Sequence, residues 1–518
     1  LKLKTLFYLV DTILFPLLLV ALLFPSPAPG ESNPPLPVTV ETTPLSALAQ
    51  PCRDSFLTHP LDHVTSAVGR KFEAYGAGVA INDLDNDGDL DIVLANLAGP
   101  NTILWNEGGL NFRAKRLPGG DARAVNIVDV DGDGWQDIIF SRRASIPDYW
   151  HNQGRQKFEQ KLLSGLAKPV YALNWADLDG DNDLDLVAGS FDANLLADLG
   201  SNFLLSGGAG LFYYENRRGY FMSQRLTQSA QATAIDLLDL NDDGQLDIIV
   251  GNNFDTSNRV WLRQKNAWHE STLLGAASFA NTISLAHADV NNDGHFDILS
   301  THMPPPDQPP GGRNELHISG MLGRFREKAT EWGIATTGQS WSAKFGDLNS
   351  DGFEDLYLVN GALEPGLVEK NRAFRNTGFK HFQPAPEWRL GASASGRGVS
   401  MADLDDDGDL DIVVNNLGSP AQLFENQLCG GQNLQVDLFW PGAGNRRAIG
   451  AILALHTGNA STYRTVTAAS GYLSGDPTRV HFGFPTGTAL NSLEIRWPDG
   501  AISTVNQLSP QTRLSITR

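Results

Sequence analysis

One short acidic pattern, Asp-x-Asp/Asn-x-Asp-Gly-x-x-Asp, recurs seven times along this chain, beginning at Asp83, Asp129, Asp177, Asp239, Asp289, Asp347 and Asp403. Successive copies start 46 to 62 residues apart. A unit repeated at that period cannot bury its own apolar face alone. It is stable only when stacked against its neighbours, so the repeat constrains the fold more than any other feature. The third copy carries Asn182 where the others have Gly. Asn is the next most tolerant residue for a left-handed backbone, so the departure is mild.

The spacing suits a hard divalent cation. Calcium takes six to eight oxygen ligands and tolerates their irregular placement. Carboxylates at loop positions one, three, five and nine converge if the chain curls tightly, and the glycine at six permits the curl. The candidate ligands are Asp83, Asp85, Asp87 and Asp91; Asp129, Asp131, Asp133 and Asp137; Asp177, Asp179, Asp181 and Asp185; and, in the last copy, Asp403, Asp405, Asp407 and Asp411. Copies four to six carry Asn at position three: Asp239, Asn241, Asp243 and Asp247; Asp289, Asn291, Asp293 and Asp297; Asp347, Asn349, Asp351 and Asp355. Up to seven calcium ions would offset most of the formal net charge of -20. The competing reading is that some loops form Asx turns and hold no ion. The pattern opens like an EF-hand loop, but position twelve of the first copy is Leu94 and no helical pattern flanks it.

Short apolar runs follow the loops instead, such as Leu90–Ala95, Ile138–Phe140 and Ile412–Val414. Runs of that length between turns read as strands buried on both faces. Aromatic pairs come next, among them Trp105 with Phe112, Trp150 with Phe158 and Phe374 with Phe382. They suggest a hairpin whose aromatics pack between units. Four strands in about fifty residues is a propeller blade, so the expected fold is all-β: a seven-bladed β-propeller over residues 52–428. The seventh copy lacks an outer strand, and the segment from Phe56 to Val68 is expected to supply it and close the ring. Cys52 and Cys429, the only two cysteines, flank that closure and are expected to form a disulfide locking it. Two cysteines exclude a disulfide-dense scaffold, a cysteine zinc ribbon and a cysteine-ligated iron–sulfur cluster.

At the N-terminus, Lys2 and Lys4 precede an apolar stretch to Phe24. Residues 1–28 read as a cleaved export signal or a retained membrane anchor, and 29–51 as a Pro/Ser/Thr linker. Either way the bulk of the chain is expected outside the cytoplasm: secreted, periplasmic or on the cell surface. The acidic excess, 59 Asp and Glu against 39 Lys and Arg, argues against nucleic-acid partners and anionic membrane surfaces.

From Leu434 onward the chain alternates short β-runs with Gly, Pro and Asn turns, a small β-sandwich-like domain within residues 429–518. Arg446, Arg447, Tyr472 and Trp497 read either as a polar–aromatic binding patch or as turn and core residues. The acidic loops and their hairpins resemble FG-GAP/VCBS repeats of integrin α-like propellers. The C-terminal motifs Asn445–Ala451, Ser470–Ser474, His481–Gly483 and Arg496–Gly500 resemble the ASPIC/UnbV domain. In that order the two parts look like the cartilage-acidic-protein family and its bacterial relatives. The resemblance implies an extracellular calcium-binding propeller and no established reaction.

The function expected is therefore a binding or adhesion module for extracellular protein or glycan partners, with calcium mainly structural. A glycan-binding lectin, or a polysaccharide-acting enzyme built on the propeller, is the alternative. No HExxH, GxSxG, phosphate-binding GxxxxGK[ST] or CxxC motif is present, so no catalytic residue is proposed. His287 and His295 flank the fifth loop and read as structural or exposed.

Overall fold

Every acidic loop joins two antiparallel strands. The computed structural model describes residues 35–46, 52–66, 74–254, 256–274, 281–303, 313–320, 323–362, 368–378, 380–458 and 460–518. The first loop lies between Val79–Asn82 and Asp91–Leu94; Asn101–Asn106 and Phe112–Leu117 complete a four-stranded sheet, blade 1. The plan repeats in blades 2 to 6, whose innermost strands are Ala122–Val128, Ala172–Ala176, Ala232–Leu238, Thr282–Ala288 and Ser340–Gly346. Blade 7 contains Ser395–Ala402, Asp411–Leu417 and Pro420–Glu425. Its fourth strand is Leu57–Val64, which pairs antiparallel with Pro420–Glu425, as the incomplete seventh copy led us to expect. Each innermost strand touches the next, and that of blade 7 touches that of blade 1, so the ring closes. Cys52 and Cys429 are disulfide-bonded beside the closure.

The apolar runs are buried because each blade's second strand has neighbouring blades on both faces. Ile92, Val93, Leu94, Ile138, Phe140, Ile412 and Val414 are fully enclosed, each contributing roughly 1.5–3 kcal/mol. Aromatics cross between blades as expected: Trp105 meets Phe158 at 6.2 Å, Tyr213 meets Trp268 at 5.6 Å and Tyr357 meets Phe424 at 6.3 Å. The interval between Phe191 and Gly210 in blade 3 holds two short helices, Asp192–Leu199 and Ser201–Leu205.

The C-terminal domain is two four-stranded sheets. One orders Thr39–Pro44, Thr512–Thr517, Gln432–Phe439 and Val480–Phe484; the other Ala460–Thr465, Ile452–Thr457, Leu490–Arg496 and Ile502–Val505. The first strand corrects the linker reading. Thr39–Pro44 pairs antiparallel with Thr512–Thr517, and Val38 and Val40 pack on the domain's core. The segment 1–28, read as a signal or anchor, lies outside the described residues. Among the described residues no helix is long and apolar enough to cross a membrane.

Between the sheets, the chain sends a hairpin, Ala469–Ser470 with Ser474–Gly475, into the centre of the ring. Gly471 N–H donates to Leu285 O (2.6 Å), Tyr472 N–H to Ser342 Oγ (3.0 Å) and Ser400 Oγ to Gly475 O (3.0 Å). Asn174 Nδ2 donates to Ala469 O (3.0 Å) and Val125 N–H to Leu473 O (3.2 Å). Gly78 is needed for the fit, since a Cβ there would stand 2.0 Å from Leu473 O. The Tyr472 ring is fully buried 5.4 Å from Trp341.

Candidate metal centres

Backbone geometry sets each loop before any ion is considered. Position six has positive φ throughout: Gly88 at 100°, Gly134 at 98°, Asn182 at 71° and Gly408 at 102° are representative. Position four does too, a feature the sequence reading missed. Its occupants are Asn86, Gly132, Gly180, Asp242, Asn292, Ser350 and Asp406, mostly residues that accept the left-handed region. Two such residues, two apart, fold each loop back on itself.

The aspartate at position one receives the N–H of position six, as in Gly134 to Asp129 Oδ2 (2.8 Å) and Gly352 to Asp347 Oδ2 (2.8 Å). Position five closes an Asx turn on position seven, as in Trp135 N–H to Asp133 Oδ1 (2.8 Å) and His295 N–H to Asp293 Oδ1 (3.0 Å). Position nine takes two backbone donors in all seven loops. Asp91 Oδ2 accepts from Leu84 N–H (3.1 Å) and Oδ1 from Asn106 N–H (2.8 Å). Asp355 and Asp411 repeat the pair with Leu348 and Asn376, and with Leu404 and Asn426.

The asparagine of the aromatic–Asn step has a role that sequence reading overlooked. Asn152 Nδ2 donates to Gln136 O (2.9 Å) in its own blade and to Leu84 O (2.7 Å) in the loop of blade 1. Asn106 reaches Leu404 O (2.8 Å) of blade 7, Asn376 reaches Val290 O (2.8 Å) of blade 5, and Asn426 reaches Leu348 O (2.9 Å) of blade 6. Each bolts one blade to the acidic loop of the blade before it. In blades 4 and 5 the position-nine donors are Arg263 and Ser319 instead.

Four loops bring carboxylate oxygens from positions one, three and nine within 4.8 Å of one another: Asp83, Asp85 and Asp91; Asp129, Asp131 and Asp137; Asp177, Asp179 and Asp185; Asp403, Asp405 and Asp411. They are the four with Asp at position three. In loop two Asp131 and Asp133 also converge with His151, which the sequence pattern does not mark as a ligand. In loops four and six the position-three Asn turns inward, Asn241 Nδ2 donating to Asp243 Oδ2 (3.1 Å) and Asn349 Nδ2 to Asp351 Oδ2 (3.0 Å). Among the described residues, loops four to six form no such three-carboxylate group.

The electrostatics of these groups fit a cation. Burial, with neighbouring carboxylates adding to it, pushes Asp91 and Asp185 up to about 8 and Asp129 and Asp137 up to about 7. In loop seven, burial and the Asp405 charge raise Asp403 to about 7. Asp83 Oδ1 and Asp85 Oδ1 are buried with no hydrogen-bond partner. Crowded, desolvated oxygens without donors are what a hard divalent ion relieves.

The loops face the C-terminal domain. Arg479 Nη2 and Arg513 Nη1 donate to Gly88 O (3.0 and 3.2 Å), and Arg513 also meets Asp406 (2.9 Å). Arg447 Nη2 donates to Asn86 Oδ1 (2.9 Å) and Arg446 Nε to Gly132 O. Asn445 N–H donates to Asn182 O (2.8 Å), and Arg464 pairs with Glu354 (2.7 Å) beside loop six. The suggested patch of Arg446, Arg447, Tyr472 and Trp497 does not form. Tyr472 fills the ring centre and Trp497 the sandwich core, while the two arginines lie on the loops. The His287 side chain is buried, between Asp236 (2.9 Å) and Thr465 (2.9 Å).

Comparison with known proteins follows this division. Residues 441–518 match the family described as ASPIC and UnbV. Residues 83–140, 129–188, 239–300 and 365–414 match the FG-GAP-like repeat. The chain is 28% identical over 229 residues to cartilage acidic protein 1 of Xenopus tropicalis, covering 42% of this chain and 34% of that protein. The Mus musculus protein of that name is 26% identical over 229 residues, covering 42% and 33%. The match thus spans about a third of the length of these curated relatives. Among solved structures, the chain is similar to the crystal structure of BBS1N in complex with ARL6DN, with TM-score 0.44, 9% identity, and coverage of 72% of this chain and 98% of that one. YCF48 from Cyanidioschyzon merolae gives TM-score 0.42, 11% identity, and coverage of 72% and 98%. The chain carries FG-GAP repeats followed by an ASPIC/UnbV domain and is distantly related to the cartilage acidic proteins.

Proposed function

We propose that this FG-GAP-repeat propeller with its ASPIC/UnbV domain is an extracytoplasmic, calcium-stabilised binding module for protein or glycan partners, without chemistry of its own. The observation that carries the reading is the repeated convergence of three aspartate oxygens within 4.8 Å in four loops that face the C-terminal domain. Asp83, Asp129, Asp177 and Asp403, with their partners at positions three and nine, would hold the ions. Calcium supplies fixed positive charge there, and the residues do the orienting. The Cys52–Cys429 bond supports an oxidising compartment.

At a dissociation constant of about 0.1 mM and free calcium of about 1 mM, each site would contribute about 1.4 kcal/mol to stability. Titration calorimetry on metal-stripped protein, paired with melting curves, tests this. Several equivalents of calcium should bind and raise the melting temperature, whereas an unchanged melt removes the structural role. Capture from native extracellular material with and without calcium tests the binding role.

A further inference from the structure

A cavity of about 410 Å³ opens where loop one meets the C-terminal domain, lined by Arg446, Arg447, Arg479 and Arg513 together with Asn82 and Trp440. Its volume is that of a small-molecule site. Four guanidinium groups around one cavity favour an anion there, although most of their contacts are to the protein itself. Two donors stand out. The Arg479 side chain is only 6% exposed, and its Nη1 lies 3.8 Å from Asp406, beyond hydrogen-bond reach; it has no hydrogen-bond partner. Asn82 is 2% exposed, and its Nδ2 is likewise without an acceptor. Neither atom is reached by solvent, but an N–H left without an acceptor favours negative charge in the cavity beside it.

The remaining lining narrows the ligand. Arg479 is already paired with Asp437 (3.1 Å) and Arg513 with Asp406 (2.9 Å), so little unspent positive charge remains for a polyanion such as a polyphosphate. Thr43 and Ser515 add hydroxyl groups and Trp440 a flat apolar surface. Donors for one anionic group, partners for several hydroxyls and an apolar indole surface match one chemistry. We propose that this cavity binds a saccharide bearing a single carboxylate, such as a hexuronate unit of an acidic glycan. The proposal deepens the binding-module reading and rests on it.

The test is titration of the full chain, in calcium-containing buffer, with D-glucuronate, D-glucose and inorganic sulfate, followed by calorimetry and tryptophan fluorescence. Saturable glucuronate binding, at a dissociation constant of about 1 mM or tighter, is expected, with glucose and sulfate at least tenfold weaker. Arg447→Gln should weaken glucuronate roughly ten- to hundredfold, as loss of a charged hydrogen bond does. Arg389→Gln, in a separate cavity, should change nothing. If Arg447→Gln melts abnormally, Arg513→Gln is read in its place. Absent glucuronate binding, equal binding of glucose or sulfate, or indifference to both arginine variants overturns the proposal. A normal calcium-dependent melt alongside any of these sinks the saccharide site alone. Glucuronate binding with a calcium-insensitive melt sinks the calcium reading alone.

Discussion

Replacing Asn152 with Ala removes a bolt between two blades, and the structure gives the size of the loss. Asn152 is fully buried. Its side chain makes three hydrogen bonds: Nδ2 to Leu84 O (2.7 Å) and Gln136 O (2.9 Å), and Oδ1 from Gly154 N–H (3.0 Å). Alanine would leave all three backbone partners unmet, at roughly 1–1.5 kcal/mol each and more where water stays out, so about 3–5 kcal/mol in all. Asn216 is the internal control. Its Nδ2 reaches only Leu184 O (3.2 Å) of its own blade and its Oδ1 accepts from Gly219 N–H (2.7 Å), so Asn216→Ala should cost roughly 2 kcal/mol. Leu84 also donates to Asp91, so the Asn152 variant should weaken calcium binding at loop one as well. Scanning calorimetry in calcium, with calcium titration of the metal-stripped variants, gives both readings. If Asn152→Ala melted together with Asn216→Ala and bound calcium like the parent, the interblade bolt would carry no weight.

Three other outcomes follow from the same contacts. Tyr472→Ala should cost roughly 3–5 kcal/mol by emptying the ring centre and make limited proteolysis separate the C-terminal domain from the propeller; Tyr472→Phe should behave nearly as the parent. Replacing Cys52 and Cys429 by Ser should lower stability by at most about 6 kcal/mol under the chain-entropy model, and a melting temperature equal in the two proteins would mean that Leu57–Val64 holds the ring without the crosslink. For metal-free protein, Asp91, Asp185 and Asp297 titrate near about 8 against about 3.9 when unfolded. The native chain therefore keeps protons that the unfolded chain releases, and its stability should be highest at about pH 4 and fall as pH rises through about 8. Calcium displaces those protons, so its stabilising effect should grow over that interval; melting curves of stripped and loaded protein from pH 5 to 8 decide it, and a stripped protein that gains stability with pH contradicts the reading.

Much of this was legible in the sequence because the repeat does the same thing each time. The loop starts, the apolar second strands and the missing outer strand of blade 7 are all local patterns read against neighbouring copies, and Asn at position three separates the loops that cluster carboxylates from those that do not. What escaped depended on contacts far away in sequence. Thr39–Pro44 has the β-branched alternation of a strand, but it lies in a Pro-, Ser- and Thr-rich stretch and its partner is Thr512–Thr517. Tyr472 looks like an ordinary turn aromatic until the ring is built around it. Asn152 gave a recurring signal, an Asn after an aromatic, but nothing local says that its amide reaches the preceding blade.

Both closures have a bearing on how the chain is made. Leu57–Val64 waits for Pro420–Glu425, and Thr39–Pro44 waits for Thr512–Thr517, so each of these strands is made well before its mate. Until then blade 7 and the C-terminal sheet each present an unpaired edge to their surroundings, the state most prone to association between nascent chains. Such distant pairings also slow folding. A host that makes this protein in quantity must therefore shield two nested clasps, the inner one shut before the outer.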